Sequence, residues 1–415
     1  MRLLILSQWY YPEPAHLVHE LAQSMDERGH CVEILTGFPN YPAGKLYTGY
    51  RLRLYQRELM GHLLVKRVPL YPDHSHSGIR RSINYLSFAA SASLLGPLLS
   101  GRADVMWVYH PPLTVGVPAC WISLLRRVPF VYAIHDMWPE TVAASGMVLS
   151  KHVVAWLGCL ARSIYRRAAA ITVVSPGFKR NLISKGVPAG KIHVISNWAD
   201  EELYRPVPRD ESLAAKYGLA GRFNVVFGGN LGAAQGLHNV IEAATLLHDL
   251  PEVQFVFIGE GIDQGALRHM ARERNLGNVC FLGQQPAQEM PRFFALADVL
   301  LIHLKRDPLF EITIPSKTLA YLACGRPILG VVAGDSADVI RQAGAGLICP
   351  QEDPAALAQK VRAFYAMSPA ERGAMGQAGR QAFLANYTRQ TMMDRHEALL
   401  KEVMGRNRNR TGLED

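Results

Sequence analysis

Short apolar runs alternate with longer helix-patterned stretches along almost the whole chain, and most runs end in a turn rich in glycine, proline or polar residues. Leu3–Ser7 reads as a strand, His16–Arg28 as a helix closed by Gly29 and His30, and Cys31–Thr36 as the next strand. Asp104–Tyr109, Phe130–His135, Ala170–Val174 and Ile192–Ile195 continue the series. The pattern restarts at Phe223–Gly228, followed by a helix across Gly236–Leu250 and strands at Gln254–Ile258, Val279–Leu282, Val299–His303, Ile328–Val332 and Gly346–Ile348. Apolar strands separated by helices specify parallel sheets covered on both faces, the doubly wound α/β architecture. A chain of 415 residues exceeds what one core of this kind holds, so two Rossmann-like domains are expected. Their bounds are read as 1–197 and 198–385, joined through Asn197–Pro208. Residues 386–415 read as a C-terminal helix packing back toward the N-terminal domain, then a polar tail. Ligands of such sheets lie outside the carboxyl ends of the strands, which places the expected substrate cleft between two facing domains.

Charge is divided unevenly. Residues 1–200 carry 21 Lys and Arg against 11 Asp and Glu, a net of +10, whereas residues 201–415 carry 23 against 24, a net of −1. Lys45, Arg51, Arg53, Arg57, Lys66, Arg67, Arg80 and Arg81 alternate with tyrosines and leucines and face only Glu58 and Asp73. Cations interleaved with apolar side chains suit an anionic bilayer surface, and they also suit a plain solubilising face. No helix-turn-helix, zinc-finger or RNA-binding signature accompanies them, so nucleic acid is not expected as a partner. Asn84–Leu99 and Val115–Leu125 are apolar but too short or interrupted to read as membrane spans. Val153, Val154, Trp156, Leu157 and Leu160, bordered by Lys151, Arg162, Arg166 and Arg167, form either an interfacial helix or an ordinary core stripe. The six scattered cysteines form no C-x-x-C pair and read as buried free thiols of a reducing compartment.

The polar chemistry collects at strand exits. In the second half, Phe310–Ile328 reads as a loop, a helix opened by Ser316 as its cap, and a strand. Lys317 then adds a cation beside free backbone N–H groups, a place for a phosphate or diphosphate. Three more strand exits carry glycine: Gly228-Gly229-Asn230-Leu231-Gly232, Gly259-Glu260-Gly261 and Gly283. Glycine lets a backbone approach oxygen ligands closely. None of these turns is G-x-G-x-x-G or a P-loop, so the dinucleotide and ATPase fingerprints are absent. In the first half, Ser7–Ala15 and Thr36–Pro42 mix aromatics, prolines and Glu13, a surface for a sugar or apolar acceptor or a plain loop. His135-Asp136-Met137-Trp138-Pro139-Glu140 follows a strand. There His135 is either a hydrogen-bond donor to substrate or a structural residue, and Asp136 caps or orients. Ser175 reads as a helix N-cap.

Taken together, Leu35–Pro42, Asp136–Glu140, Gly229–Gly232 with Gln235-Gly236, and Ile314–Thr318 with Ala323–Pro327 resemble the retaining GT-B glycosyltransferases of family 4. More narrowly, they resemble the colanic-acid and O-antigen type of bacterial cell-surface polysaccharide enzymes. That resemblance implies two Rossmann-like domains facing a central cleft, with a nucleotide-sugar donor on the second. It implies His135 near the donor sugar and Gly229, Asn230 and Gly232 beneath the diphosphate, joined by Gly259 and Gly283. Lys305, Ser316 and Lys317 fall at the donor phosphates, and Glu311 near the first glutamate of the family's Glu-x7-Glu motif. The second glutamate of that motif aligns with Ala320, and Asn230 and Gln235 stand where the family's first turn carries Arg and Lys. The site set implied is therefore His135, Lys317 and Glu311 for catalysis, with neither metal nor cofactor expected.

The resemblance further implies a UDP-linked donor, with N-acetyl-fucosamine or a related deoxy-amino sugar moved to a polyprenyl-diphosphate-linked saccharide. The expected place is the cytoplasm, peripherally bound to the inner face of the membrane. Two other classes stay open: a non-catalytic nucleotide-sugar-binding subunit, and a nucleotide-sugar epimerase or dehydrogenase. The second is disfavoured because Ser7–Pro14 lacks a dinucleotide fingerprint.

Overall fold

The computed structural model describes residues 1–75, 77–138, 140 and 150–411. Pro139 and the end of the expected polar tail lie outside them. The chain divides into two compact units, Met1–Ile195 together with the residues from Met393 on, and Ser196–Met392.

The first unit holds β1 (Arg2–Leu6), β2 (Cys31–Gly37), β3 (Gln56–Met60), β4 (Leu63–Val68), β5 (Val105–His110), β6 (Phe130–Ile134), β7 (Ala170–Val173) and β8 (Ile192–Val194). They form one sheet in the order β3-β4-β2-β1-β5-β6-β7-β8. All pairings are parallel except β3 against β4. β6 is buried at every residue and β1 at all but its first, as strands covered on both faces must be. The edge strand β3 alternates half-buried and exposed residues instead.

The β3–β4 hairpin was not expected from the sequence, because its charged residues mask the alternation of its apolar ones. It also corrects the reading of the basic stretch. Arg67 is fully buried; its guanidinium donates to Glu58 Oε1, to Gly37 O (3.0 Å) and to Tyr11 O. Lys66 donates to Glu33 Oε2 and Leu99 O, both at 2.7 Å. These two cations hold the hairpin to the unit and are not part of an outer basic face.

Helices Gly78–Leu99, Gly116–Arg126 and Lys151–Arg167 pack side by side in that order. The last resolves the open reading of its stripe: Leu157 is buried, whereas Val153, Val154 and Trp156 are exposed. The C-terminal helix Arg389–Thr411 returns to the first unit, where Arg28 pairs with Asp394 at 2.8 Å and with Glu397 at 2.7 Å. The expectation of uniformly buried thiols is overturned, since Cys31 and Cys159 are exposed and only Cys324 and Cys349 are fully buried.

The second unit holds β9 (Phe223–Gly228), β10 (Val253–Ile258), β11 (Val279–Gly283), β12 (Val299–His303), β13 (Ile328–Val331) and β14 (Gly346–Cys349). Their order is β11-β10-β9-β12-β13-β14, and every pairing is parallel. Side chains of one strand feed two cores in alternation: Val226, Val256 and Leu300 to one, Val225, Phe255 and Leu301 to the other. The helix expected across Gly236–Leu250 is shorter. A 3-10 turn, Ala233–Gln235, comes first, Gly236 adopts the left-handed conformation at φ 60°, and the helix proper runs His238–Thr245. In both sheets the strand order reverses once, between β1 and β5 and between β9 and β12. Those two crevices are where such sheets bind ligands.

Candidate functional site

At the β9/β12 crevice the chain leaves β9 through Gly228 and Gly229. The buried Tyr321 hydroxyl accepts from Gly228 N at 2.8 Å and donates to Gly228 O at 3.2 Å, fixing the strand end. Gly229 donates its N–H to Ile258 O (2.9 Å) and holds φ at 135°. One strand over, Gly259 stands at φ 134°, and its N–H bonds Gly283 O at 2.8 Å. A Cβ on Gly259 would lie 2.1 Å from Gly229 O, so no other residue fits there without moving backbone. The three expected glycine exits are therefore one stacked ledge. Gly232 is buried beside Asn230, whose amide nitrogen would stand 2.9 Å from a Cβ at that position.

Lys317 is the second residue of the helix Ser316–Ala323. Its Nζ donates to Gln235 Oε1 at 2.9 Å and stands 3.7 Å from the centroid of the Phe227 ring. A Cβ on Gly229 would come within 3.2 Å of that nitrogen, so the ammonium lies against the glycine ledge. Burial draws its pKa down from 10.5 to about 7, although the Gln235 and ring contacts favour the charged form.

Gln235 thus stands where the family's turn carries a cation and accepts a cation from a different element. The sequence hinted at this: one turn lacks its cation while a helix start further on has one. His303, which the sequence reading missed, ends β12. Its Nδ1 lies 2.6 Å from the carbonyl oxygen of Gln235, so that nitrogen carries the proton. Burial lowers the His303 pKa to about 4, leaving Nε2 an unprotonated acceptor with no partner among the described residues.

Ser316 is not the helix cap. Pro315 occupies the cap position and offers no side-chain hydrogen bond to the first turn. A helix start has N–H groups without intrahelical acceptors, and here no capping side chain occupies them, which favours an anion. Lys305 donates its backbone N–H to Ala234 O at 3.1 Å and places Nζ 5.8 Å from the centroid of the Phe310 ring. Glu311 ends a short helix, is exposed, and forms no ion pair with Lys317 among the described residues.

The first unit's crevice is built differently. Glu13, 1% exposed, accepts from the backbone N–H of Asn40 and Tyr41 (both 2.8 Å) and of Tyr10 (3.0 Å). It ties the Ser7–Ala15 loop to the Thr36–Pro42 loop. Burial pushes its pKa up to about 7, against those three bonds and Arg67. Trp9 packs 5.0 Å from Tyr41, Tyr85 lies 6.3 Å from Trp9, and Trp138 lies 6.1 Å from Tyr85. The two loops and Trp138 therefore meet in one aromatic surface. His135 begins just past β6; its N–H donates to His110 O at 2.9 Å and its ring lies 4.8 Å from that of Tyr109. Asp136 is half-buried, and burial raises its pKa. Ser175 accepts from Phe178 N at 3.1 Å, the cap expected.

Comparison with known proteins follows the same division. The family described as "Glycosyl transferase 4-like domain" matches residues 14–198, and "Glycosyl transferases group 1" matches residues 210–382. The glycosyltransferase WcaI of Escherichia coli (strain K12), named for colanic acid biosynthesis, is 27% identical over 342 residues, 78% of this chain and 82% of that one. The glycosyltransferase WbjE of Pseudomonas aeruginosa is also 27% identical, over 67% of this chain and 70% of its own. Among solved structures, Anabaena HepE in complex with UDP superposes with a TM-score of 0.74 at 18% identity, covering 97% of this chain and 100% of that chain. Two family matches that between them span most of both units, on two doubly wound sheets, place this chain among the GT-B glycosyltransferases of family 4.

Proposed function

We propose that this glycosyltransferase takes a UDP-linked sugar on its second unit and moves it, with retention, to a lipid-linked saccharide in cell-surface polysaccharide synthesis. The observation that carries the donor half is the Lys317 ammonium held by Gln235 against the Gly229 ledge. A departing nucleoside diphosphate develops charge as the glycosidic bond breaks, and a fixed cation beside an uncapped helix start stabilises it. UDP as the nucleotide draws support from the UDP bound to HepE, and the polysaccharide context from the name of WcaI. Gly229, Asn230, Gly232, Gly259 and Gly283 are assigned to the diphosphate side, with Lys305, Ser316 and Lys317.

The acceptor half rests on the aromatic surface of the first unit, where Trp9, Tyr41, Tyr85 and Trp138 offer faces for sugar rings and apolar chain. The excess cations of residues 1–200 suit a substrate carried on an anionic membrane, and peripheral membrane association belongs to the same reading. His135 is assigned to transfer and not to nucleotide affinity, because it lies in the first unit. Glu311, exposed and without an ion pair to Lys317 among the described residues, is assigned only an auxiliary place at the donor.

The test is product analysis with a panel of nucleotide sugars and a detergent-dispersed polyprenyl-diphosphate saccharide. The expected result is transfer from a UDP-sugar with the anomeric configuration kept. His135→Ala should lower turnover by about a hundredfold or more while UDP affinity changes less than about threefold. Donor binding without any transfer would favour the non-catalytic reading, and equal losses of rate and affinity would make His135 a plain binding residue.

A further inference from the structure

Three helices of the first unit, Gly78–Leu99, Gly116–Arg126 and Lys151–Arg167, form a continuous layer. Each buries one side: Phe88, Ala92 and Gly96 on the first, Ala119 and Ile122 on the second, Leu157, Ala161 and Ile164 on the third. The other side is apolar as well. Leu94 is 74% exposed and Leu98 82% exposed, and Trp121, Leu124, Leu125 and Trp156 stand at 46–55%. None of the three helices carries an Asp or Glu, while Arg80, Arg81, Arg126, Lys151, Arg162 and Arg166 lie along them. An acid-free apolar surface with cations along it matches an anionic bilayer interface. Between the ends of the second and third helices opens a cavity of about 1220 Å³, lined by Arg127, Arg166, Arg167, Lys191 and Arg406 and, among the described residues, by no acid. It offers a place for lipid phosphates at the end of the apolar stripe.

Helix Gly78–Leu99 is long and apolar enough to cross a membrane by composition, but its anchoring forbids it. Asn84 accepts from Gln8 Nε2 at 2.6 Å and donates to Asn40 Oδ1 at 3.1 Å and Tyr71 O at 2.6 Å. At its far end, a Cβ on Gly96 would meet Ile122 Cδ1 at 2.7 Å. Both ends are part of the unit's own packing, so this helix lies along a surface. A second copy of the chain is a poor occupant, since a two-fold contact through this face would set the same cations against each other.

We propose that the outer face of this three-helix layer is a monotopic insertion surface, its apolar stripe entering the acyl boundary of an anionic bilayer and its cations meeting lipid phosphates. This rests on the membrane reading above and changes its mode. The basic stretch Lys45–Arg81 alone would give purely electrostatic docking, erased by salt, whereas an inserted apolar stripe holds.

The test is flotation of the full chain with vesicles of phosphatidylcholine, with and without phosphatidylglycerol, at low salt and at about 0.5 M NaCl. Wild type should bind the anionic vesicles at both salts. Leu94→Gln, Leu98→Gln and Trp121→Gln combined should weaken binding by about tenfold or more, while Arg51→Gln, Arg53→Gln and Arg57→Gln combined should cost less than about threefold at high salt. A wild-type thermal-denaturation profile certifies folding of the first unit in both variants, and retained UDP affinity that of the second. Unchanged vesicle binding in the apolar variant, or complete loss of wild-type binding at high salt, would overturn the proposal. A lipid-free dimer that the apolar variant dissolves would likewise overturn it, assigning the face to a second copy. Failure of the glycosyl-transfer reading is seen separately, as lack of turnover with detergent-dispersed acceptor.

Discussion

The two crevices of this protein occupy equivalent places in two doubly wound sheets, yet they are furnished in opposite ways. At β9/β12 the strand exits are Gly229, Gly259 and Gly283, and the Lys317 ammonium sits against backbone. At β1/β5 the loops carry Trp9, Tyr10 and Tyr41, fastened from beneath by the Glu13 carboxylate. The architecture decides where a ligand sits, and side-chain volume decides what it is. Backbone without side chains, beside a helix start and a cation, suits phosphate oxygens, whereas aromatic faces over a satisfied carboxylate suit carbohydrate and lipid.

The sharpest way to break this contrast is to give the glycine ledge a side chain. Gly259→Ala puts a methyl 2.1 Å from Gly229 O at a φ of 134°, and strain and overpacking together should cost roughly 2–4 kcal/mol of stability. Thermal denaturation reads that loss, and UDP titration of the surviving fold should find binding abolished. A variant with wild-type affinity would mean the ledge is not the diphosphate site.

A smaller effect is expected at the other crevice. Glu13→Gln offers one oxygen to three N–H donors and turns an amide N–H₂ toward at least one of them. That should cost about 1–3 kcal/mol and loosen the aromatic loops, raising the acceptor KM while UDP affinity stays unchanged. If UDP affinity fell in step, the two crevices would not be separate in function.

Much of this was legible in the sequence because it is local. A strand, a glycine exit and a helix start at Ser316 are read from neighbours in the chain. What escaped depended on distance or on opposing signals. The Gln235–Lys317 contact joins positions 82 residues apart, and only the missing cation of the Gly229 turn hinted at it. Gly236 at a left-handed φ cut a helix that periodicity alone would have extended. The β3–β4 hairpin hid behind its own charges, two of which, Lys66 and Arg67, turned out to be internal. In the helix Lys151–Arg167 apolar residues point both ways, so composition could not tell the stripe that packs from the stripe that is exposed.

The central claim is that Lys317 meets the donor diphosphate, and the most direct test is calorimetric titration of UDP across pH. In the free protein the Lys317 pKa is lowered to about 7 by burial, while beside a diphosphate the ammonium must be charged. Binding therefore takes up a proton above neutrality, and affinity should fall by about tenfold or more between about pH 7 and pH 9. Folding carries the opposite sign, because it releases the proton that binding takes up. A lysine with a depressed native pKa disfavours the native state most below about pH 7, and the penalty fades as pH rises toward the ordinary 10.5. Lys317→Met should bind UDP about 1.5–3 kcal/mol more weakly at pH 7 and show a flat profile. Equal affinity in wild type and variant, with no dependence on pH in either, would contradict the account.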